Sequence, residues 1–295
     1  MKTNHVRATR AATAGLMVNL LLVAVKFVAG VVGNSYALIA DAVESTLDVF
    51  SSLIVWSGLE VAARPPDDDY PYGYGKAESL AASVVAAMLL VAGFGIGVAA
   101  IREILTPHHA PAAFTLLVLV LVIVVKETLF RTVLAVGEST HSLSLEADAW
   151  HHRSDAITSL AAFVGIALSV YGGEGWAAAD DWAALLASFI IGYNGVRLFR
   201  RAARDLMDRQ PATDLPAKIQ EVAASVPGIC RLEKLRLRRM GAGHMVDLHA
   251  QTDGNLPLRD AHALGGKLRA KIRTELPEVL DVLIHMEPFE DSPDR

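Results

Sequence analysis

The sequence predicts an α-helical polytopic membrane protein with six transmembrane helices, followed by a small α+β domain. The 295-residue chain is 53% hydrophobic and has a mean hydropathy of +0.36, which is too apolar for an ordinary soluble domain of this size. The apolar residues concentrate before about Leu198, and the remainder has the composition of a soluble domain. Because a spanning helix needs roughly 20 mostly apolar residues, the first part has room for about six spans.

Six apolar segments are long enough to cross a bilayer. Each is expected to be helical, since backbone polar groups find no water in lipid. We place the spans at Ala11–Val32, Tyr36–Ala62, Ser79–Ile101, Ala112–Val133, Glu146–Tyr171 and Trp176–Phe199. The expected organisation is therefore an N-terminal tail (1–10), a transmembrane domain (11–206), a cytoplasmic domain (207–290) and a short tail (291–295).

The distribution of basic residues predicts that both termini are cytoplasmic. Lys and Arg are enriched in cytoplasmic loops of membrane proteins. On the side of the termini lie Lys2, Arg7, Arg10, Arg64, Lys76, Arg200, Arg201 and Arg204. The opposite side has Arg102 as its one clear cation. Lys26 and Lys126 lie deeper in their spans, where snorkelling to an interface and pairing with an acid both remain open.

The C-terminal part alternates between helical and strand patterns. Helices are expected at Asp214–Val226 and Leu258–Glu275, and strands at Cys230–Arg238, His244–Gln251 and Val279–Met286. This αββαβ order predicts a small sheet with two helices on one face. The net charge of −5 gives no reason to expect nucleic acid as a partner, and the lone Cys230 cannot form an internal disulfide.

Two predicted spans carry acidic stripes, and acids inside a span indicate function because they are costly there. Asp41, Glu44 and Asp48 follow an i, i+3, i+7 spacing on the second span, and Asp148, His151 and Asp155 repeat it on the fifth. Such residues share one helical face. If the two faces meet, Glu44, Asp48, His151 and Asp155 supply four ligands at one point, with Asp41 and Asp148 as supporting or helix-end groups.

This donor set favours a divalent transition metal. Clustered carboxylates repel one another unless a cation is bound, and one imidazole with three carboxylates suits zinc, iron(II), manganese, cobalt or cadmium. Metal and protons compete for such ligands, which is a physical basis for exchange. A proton or other-cation pathway without metal, and a polar network that only ties two helices together, remain alternatives.

Three segments resemble the cation diffusion facilitator family of metal transporters, in particular the bacterial ferrous-iron and zinc efflux type. They are SYALIADAVESTLDVFSS (Ser35–Ser52), PYGYGKAE (Pro71–Glu78) and EADAWHHRSDAITS (Glu146–Ser159), the last containing HxxxD at His151–Asp155. The resemblance implies a homodimer in the bacterial inner membrane. It also implies that cytoplasmic metal is exchanged for protons by alternating access at the four ligands named above.

The resemblance extends to groups outside the spans. It implies a metallochaperone-like fold for the C-terminal domain, with a regulatory metal site from His249, His262, His285 and Glu287 and with Glu233 at the place of another ligand. It further implies an inter-subunit ion pair between Lys76 and Asp208.

The chain also departs from the family pattern. Zinc members typically carry HxxxD or DxxxD on the second helix, whereas this chain has ExxxD, from Glu44 to Asp48. Glutamate is a harder ligand than histidine, which weakens an expectation of strict zinc selectivity. Tyr70 and Tyr74 stand where some relatives have loop histidines, so a loop metal site is expected to be absent or reduced to the aspartates 67–69.

The leading functional hypothesis is a proton-coupled exporter of divalent metal, with no resident cofactor. A membrane-bound metal sensor or scaffold is the first alternative. An enzyme is disfavoured because the sequence has no nucleophile motif, nucleotide-binding loop or HExxH.

Overall fold

The computed structural model describes residues 2–106, 111–140, 143–211, 214–241 and 243–289. Within these ranges the side chains of 2–14, 137, 139–140, 143–148, 151 and 174 lie outside the description. The chain divides into two compact units, residues 1–54 with 84–198, and residues 55–83 with 199–295. Each unit is described by itself below.

Six long helices cover the predicted spans: α1 (Lys2–Val32), α2 (Tyr36–Ala62), α3 (Lys76–Leu105), α4 (Phe114–Thr140), α5 (Leu143–Tyr171) and α6 (Ala179–Leu206). By length and hydropathy, four of them qualify as membrane spans among the described residues, namely α1, α3, α5 and α6. α2 carries three acids in its first half, and α4 carries Lys126, Glu127 and Arg131. These charges lower the hydropathy of both helices.

The helix ends differ in detail from the sequence prediction. α1 begins at Lys2 rather than Ala11. α6 begins at Ala179 rather than Trp176, because a short 3-10 helix, Glu174–Trp176, precedes it. Gly173 leads into this short helix with a φ of 81°, a left-handed conformation that glycine adopts without a steric penalty.

Among the described residues of the first unit, two buried clusters each join three or more helices. One joins α1, α2, α4 and α5 through residues such as Leu38, Leu119 and Ile166, each fully buried. The other joins α2, α3 and α6 through small residues, including Ala40 and Ala184. The outer surface is apolar, with large side chains well exposed. That pattern is expected of helices whose outer face meets lipid rather than water.

Small residues allow close helix approach in this unit. A Cβ added at Gly165 on α5 would lie 2.4 Å from the Cβ of Ala183 on α6, so any larger residue would force these helices apart. The start of α2 is fixed by Asp180 of α6, whose carboxylate accepts hydrogen bonds from Ser35 Oγ at 2.8 Å and Tyr36 N at 2.7 Å. A carboxylate at a helix N-terminus also complements the helix dipole.

The second unit contains the predicted αββαβ domain. Its elements are α7 (Leu215–Ala224), β1 (Arg231–Met240), β2 (Gly243–Thr252), α8 (Leu258–Glu275) and β3 (Val279–Pro288). The strand order is β1-β2-β3, with β1 antiparallel to β2 and β2 parallel to β3 across the α8 crossover. A register shift between Glu233 and Arg236 marks a bulge in β1, where Lys234 has a φ of 45°.

One face of this sheet is the hydrophobic core. Val246, Leu248 and Ala250 of β2 are buried against α7 and α8, which contribute Ile219 and Leu268. Both helices therefore pack on the same face, and the predicted fold class is confirmed. The alternate β2 side chains, His249 among them, project from the opposite face.

Candidate metal centre

α5 contacts the acidic stripe of α2. Ser159 Oγ of α5 lies 3.0 Å from both carboxylate oxygens of Asp41 on α2, and both residues are buried. Ser159 is one turn beyond Asp155 along α5, and Asp41 is one turn before Glu44 along α2. A contact between them therefore places Asp155 opposite the acidic stripe of α2.

Three of the four predicted ligands are described with their side chains. Glu44 lies within electrostatic range of Asp41, Asp48 and Asp155, and it lines a cavity with Asp41 and Thr158. We call Asp41, Glu44, Asp48 and Asp155 the acidic cluster. The side chains of the predicted ligand His151 and of Asp148 lie outside the described residues, although their backbones belong to α5.

Two lysines supply counter-charge to this cluster. Lys26 of α1 is fully buried, with its Nζ 2.7 Å from Asp41 Oδ2, 3.1 Å from Ser45 Oγ and 3.3 Å from Ser159 Oγ. Lys126 of α4 is 2% exposed. Of the two possibilities that the sequence left open for these lysines, the structure selects pairing rather than snorkelling.

Lys126 is paired directly with a predicted ligand. Its Nζ lies 2.5 Å from Asp155 Oδ2 and 2.9 Å from Asn19 Oδ1 of α1. By contrast, Arg131 on the same helix forms a pair with Glu127 at 2.8 Å and has a largely exposed side chain. Only part of the charge on α4 is therefore directed into the bundle.

The acidic cluster is partly neutralised by buried ammonium groups, because Lys26 pairs with Asp41 and Lys126 pairs with Asp155. Its ligand atoms are not gathered as tightly as in the C-terminal triad described below, the one group of three in the described residues whose ligand atoms all lie within 4.8 Å. A metal that bound Asp155 through Oδ2 would compete for that oxygen with Lys126.

That tighter group, which we call the C-terminal triad, consists of His249, His285 and Glu287 on the open face of the sheet. His249 and His285 are register partners on β2 and β3, with ring centroids 4.8 Å apart. His249 Nδ1 lies 2.6 Å from Glu287 Oε1, and His285 Nε2 lies 3.8 Å from it. The hydrogen bond with His249 lowers the pKa of the Glu287 carboxyl below its ordinary value.

Two other predicted members of this site are placed differently. Glu233 is the β1 register partner of His249, but neither it nor His262 belongs to the group within 4.8 Å. His262 lies exposed on α8, which packs on the opposite face of the sheet. The structure thus brings three of the five predicted groups together.

The loop between α2 and α3 uses its tyrosines to bind an aspartate. Tyr74 donates its hydroxyl to Asp67 Oδ2 at 2.6 Å, and the backbone N–H of Tyr70 donates to Asp67 Oδ1 at 2.7 Å. These bonds lower the pKa of Asp67, while the bond to Asp67 raises the pKa of Tyr74. Asp67 is thereby committed to the loop's own structure, and Asp68 and Asp69 are exposed.

Lys76 and Asp208 form an ion pair within one chain, with Lys76 Nζ 2.6 Å from Asp208 Oδ1. Lys76 Nζ also contacts the carbonyl oxygen of Asp205. The Lys76 side chain is about one-third exposed and that of Asp208 half-exposed. An inter-subunit role for this pair stays a prediction.

Sequence reasoning did not identify Lys26, Lys126 or Asn19 as parts of the centre. For the two lysines, the available signal in the sequence was their position deep in apolar spans of a chain whose other spans carry acids. Asn19 gave no such signal, because a single asparagine in a span is common in helix contacts. Only the helix packing shows that α1 and α4 supply the groups that face the acids.

Comparison with known proteins gives one consistent family. A family model described as "Cation efflux transmembrane domain" matches residues 12–207, and one described as "Cation efflux protein, cytoplasmic domain" matches residues 211–289. A solved structure of the MamM C-terminal domain is 21% identical, covers 26% of this chain and 93% of its own, and has a TM-score of 0.25.

Three curated relatives span almost the whole chain. The manganese efflux system protein MneP of Bacillus subtilis is 29% identical and covers 95% of this chain and 96% of its own. The magnetosome protein MamB of Magnetospirillum gryphiswaldense is 31% identical, with coverages of 89% and 88%. The cation-efflux pump FieF of Shewanella oneidensis is 30% identical, with coverages of 96% and 95%.

Proposed function

Because this chain belongs to the cation efflux family of membrane metal transporters, we propose that it exports divalent transition metals in exchange for protons. Members of this family are transporters rather than enzymes. The observation that carries the proposal is the contact of Ser159 on α5 with Asp41 on α2, which places Asp155 opposite the acids of α2 inside a helical bundle. Such buried charge is costly in a membrane unless an ion uses it.

The proposed transport ligands are Glu44, Asp48, His151 and Asp155. The first two lie on α2 and the last two on α5, so relative movement of these helices would change the coordination and the side from which the metal is reached. Alternating access of this kind needs ligands that bind metal and protons in turn.

The proposed cargo is manganese, iron(II) or zinc. Glu44 makes the donor set richer in oxygen, which suits manganese and iron(II) better than a second imidazole would. The relative MneP is named for manganese efflux, in agreement with this donor set. Cobalt and cadmium remain within the range of such a site.

Transport is best tested in proteoliposomes with an imposed pH gradient. We expect metal flux that follows the proton gradient and that is reduced to background by Asp48→Ala or by Asp155→Ala. Glu127→Ala is a matched control, because Glu127 is an acid of α4 that pairs with Arg131 outside the acidic cluster. Flux that survives both ligand substitutions would end the proposal, and binding without flux would favour a sensor or scaffold.

The protein is proposed to act as a homodimer in a bacterial inner membrane, with both termini in the cytoplasm. An ion pair as exposed as Lys76–Asp208 is worth about 0–1 kcal/mol by itself, so a role in the dimer depends on how the second subunit buries it. We expect Asp208→Lys to reduce flux several-fold and Lys76→Asp in the same chain to restore it. A double variant as inactive as the single one would remove the pair from the mechanism.

The C-terminal triad is proposed as a second, regulatory metal site. Two imidazoles and a carboxylate with ligand atoms within 4.8 Å match the preferences of zinc. After chelation of the full-length protein, a metal titration of Asp155→Ala isolates binding outside the acidic cluster. If adding His285→Ala to this variant abolishes the remaining stoichiometric binding, that binding belongs to the triad. If Asp155→Ala binds no metal at all, the regulatory site is removed.

A further inference from the structure

The ammonium group of Lys126 lies where a metal cation is expected, on the carboxylate of Asp155. The two atoms are 2.5 Å apart, and both side chains are almost completely enclosed. Building on the proposed function, we propose that Lys126 is a tethered cation. It holds Asp155 when the metal is absent, gives it up when a metal binds, and reclaims it when the metal leaves.

The comparison with Lys26 distinguishes this role from simple charge neutralisation. Lys26 Nζ contacts Asp41, Ser45 and Ser159, none of which is a proposed ligand. Lys126 Nζ contacts Asp155, which is one, and Asn19, which is neutral. Lys26 can therefore stay in place through a transport cycle, whereas Lys126 shares an oxygen donor with the metal.

Asn19 provides the position to which Lys126 can withdraw. Its Oδ1 already accepts a hydrogen bond from Lys126 Nζ at 2.9 Å. When Asp155 turns to the metal, this bond keeps the ammonium group partly solvated inside the bundle. Without such an acceptor, release of Asp155 would leave a buried charge with one fewer partner, which is strongly unfavourable.

Competition between Lys126 and the metal for Asp155 lowers the metal affinity of the site. The metal binds in full only to the state in which Asp155 is free, so its apparent affinity is reduced by the fraction of protein in that state. A transporter benefits from this reduction, because a site made only of clustered carboxylates and imidazole would hold a divalent ion too tightly to release it. Lys126 therefore sets the balance between capture and release.

The inference predicts effects of opposite sign for two neighbouring substitutions in the full-length protein. Lys126→Gln removes the competing charge and should tighten binding of Mn²⁺ or Zn²⁺ about tenfold or more, because charges interact more strongly in a buried site than in water. Asn19→Leu removes the acceptor for the displaced ammonium group and should weaken binding several-fold. Lys126→Arg keeps the charge and should stay near the wild type.

The metal affinity of each variant can be measured by titrating metal into chelated protein in detergent micelles. A flux assay on the same variants adds a second measurement: in Lys126→Gln the KM should fall together with kcat, because the metal enters easily and leaves slowly. A lysine with a merely structural role would give weaker binding and no fall in KM. If Lys126→Gln does not fold, the weakened binding in Asn19→Leu carries the test.

The outcomes separate this inference from the proposed function. If Asp155→Asn binds metal as tightly as the wild type, the ligand assignment fails and the inference fails with it. If Asp155→Asn loses binding but folded Lys126→Gln binds no more tightly than the wild type, only the inference is overturned. Tighter binding in Lys126→Gln with weaker binding in Asn19→Leu supports it.

Discussion

The acidic cluster and the C-terminal triad are two candidate metal sites built on different physical principles. In the cluster, the carboxylates of Asp41 and Asp155 are buried, and each is paired with a buried lysine. In the triad, His249, His285 and Glu287 lie on the open face of a sheet, and all three are at least partly exposed. Lys234 is the cation nearest to Glu287 among the described ion pairs, 3.9 Å away and more than half exposed.

This difference follows from the solvent around each site. Water stabilises the charges of the triad, so its ligands can converge within 4.8 Å with no internal cation. Carboxylates in a helical bundle lack that solvation and need a counter-charge from the protein whenever the metal is absent. Under the proposed function, the two buried lysines supply this counter-charge whenever the site is empty.

The largest expected effect is on stability, and it comes from removing Lys26, the buried cation that pairs with Asp41 rather than with a proposed metal ligand. Lys26→Met leaves the buried Asp41 carboxylate without its ion-pair partner, and we expect a loss of about 3–5 kcal/mol of stability. Thermal unfolding of the purified protein in detergent micelles measures this loss. The double variant Lys26→Met with Asp41→Asn should recover much of it, because no unpaired charge remains.

A melting temperature for Lys26→Met equal to that of the wild type would contradict the idea that the cluster needs internal counter-charge. The corresponding change near the triad, Lys234→Met, serves as the matched control. Its exposed side chain makes only a long contact with Glu287, so this substitution should leave the melting temperature almost unchanged.

The next effect concerns which metal the cluster prefers. Glu44→His replaces a hard carboxylate by an imidazole, and we expect the preference for zinc over manganese in flux competition to rise about tenfold. Glu44→Asp keeps the carboxylate and should leave the preference close to that of the wild type. An unchanged metal preference in Glu44→His would show that selectivity is set elsewhere.

The smallest expected effect is on the stability of the C-terminal domain when the His249–Glu287 bond of the triad is removed, and this effect depends on pH. The hydrogen bond from His249 holds the Glu287 pKa below its ordinary value of 4.5. The pair therefore stabilises the C-terminal domain above about pH 4.5, and this contribution is lost as the pH falls through the lowered pKa. In chelated protein, Glu287→Gln should be less stable than the wild type at pH 6 and equal to it at the acidic end.

The same substitution also tests the comparison with the cluster. Because Glu287 lies outside the proposed transport ligands, Glu287→Gln should keep the proposed proton-driven flux within a few-fold of the wild type at saturating metal. A complete loss of flux would mean that the triad is part of the transport step itself. A stability gap that persists at the acidic end of the range would mean that the His249–Glu287 bond is not its source.

Much of the architecture was predictable, because hydropathy and periodicity are local properties. The order αββαβ was correct, and α8 has the predicted ends Leu258 and Glu275. The start of α6 was missed by three residues, since Gly173 and the short 3-10 helix after it give no strong pattern. The spacing of Asp41, Glu44 and Asp48 was sufficient to propose a face, but it carried no information on what faces it.

The sequence was sufficient to predict which residues carry chemistry, because acids and histidines at helical spacing inside apolar segments are costly and therefore indicate function. It did not determine how those charges are balanced. Lys26 and Ser159 are 133 residues apart, and Lys126 and Asn19 are 107 residues apart. The pairing of Lys26 with Asp41 and of Lys126 with Asp155 is seen only in the folded structure, because ion pairing depends on which helix faces meet.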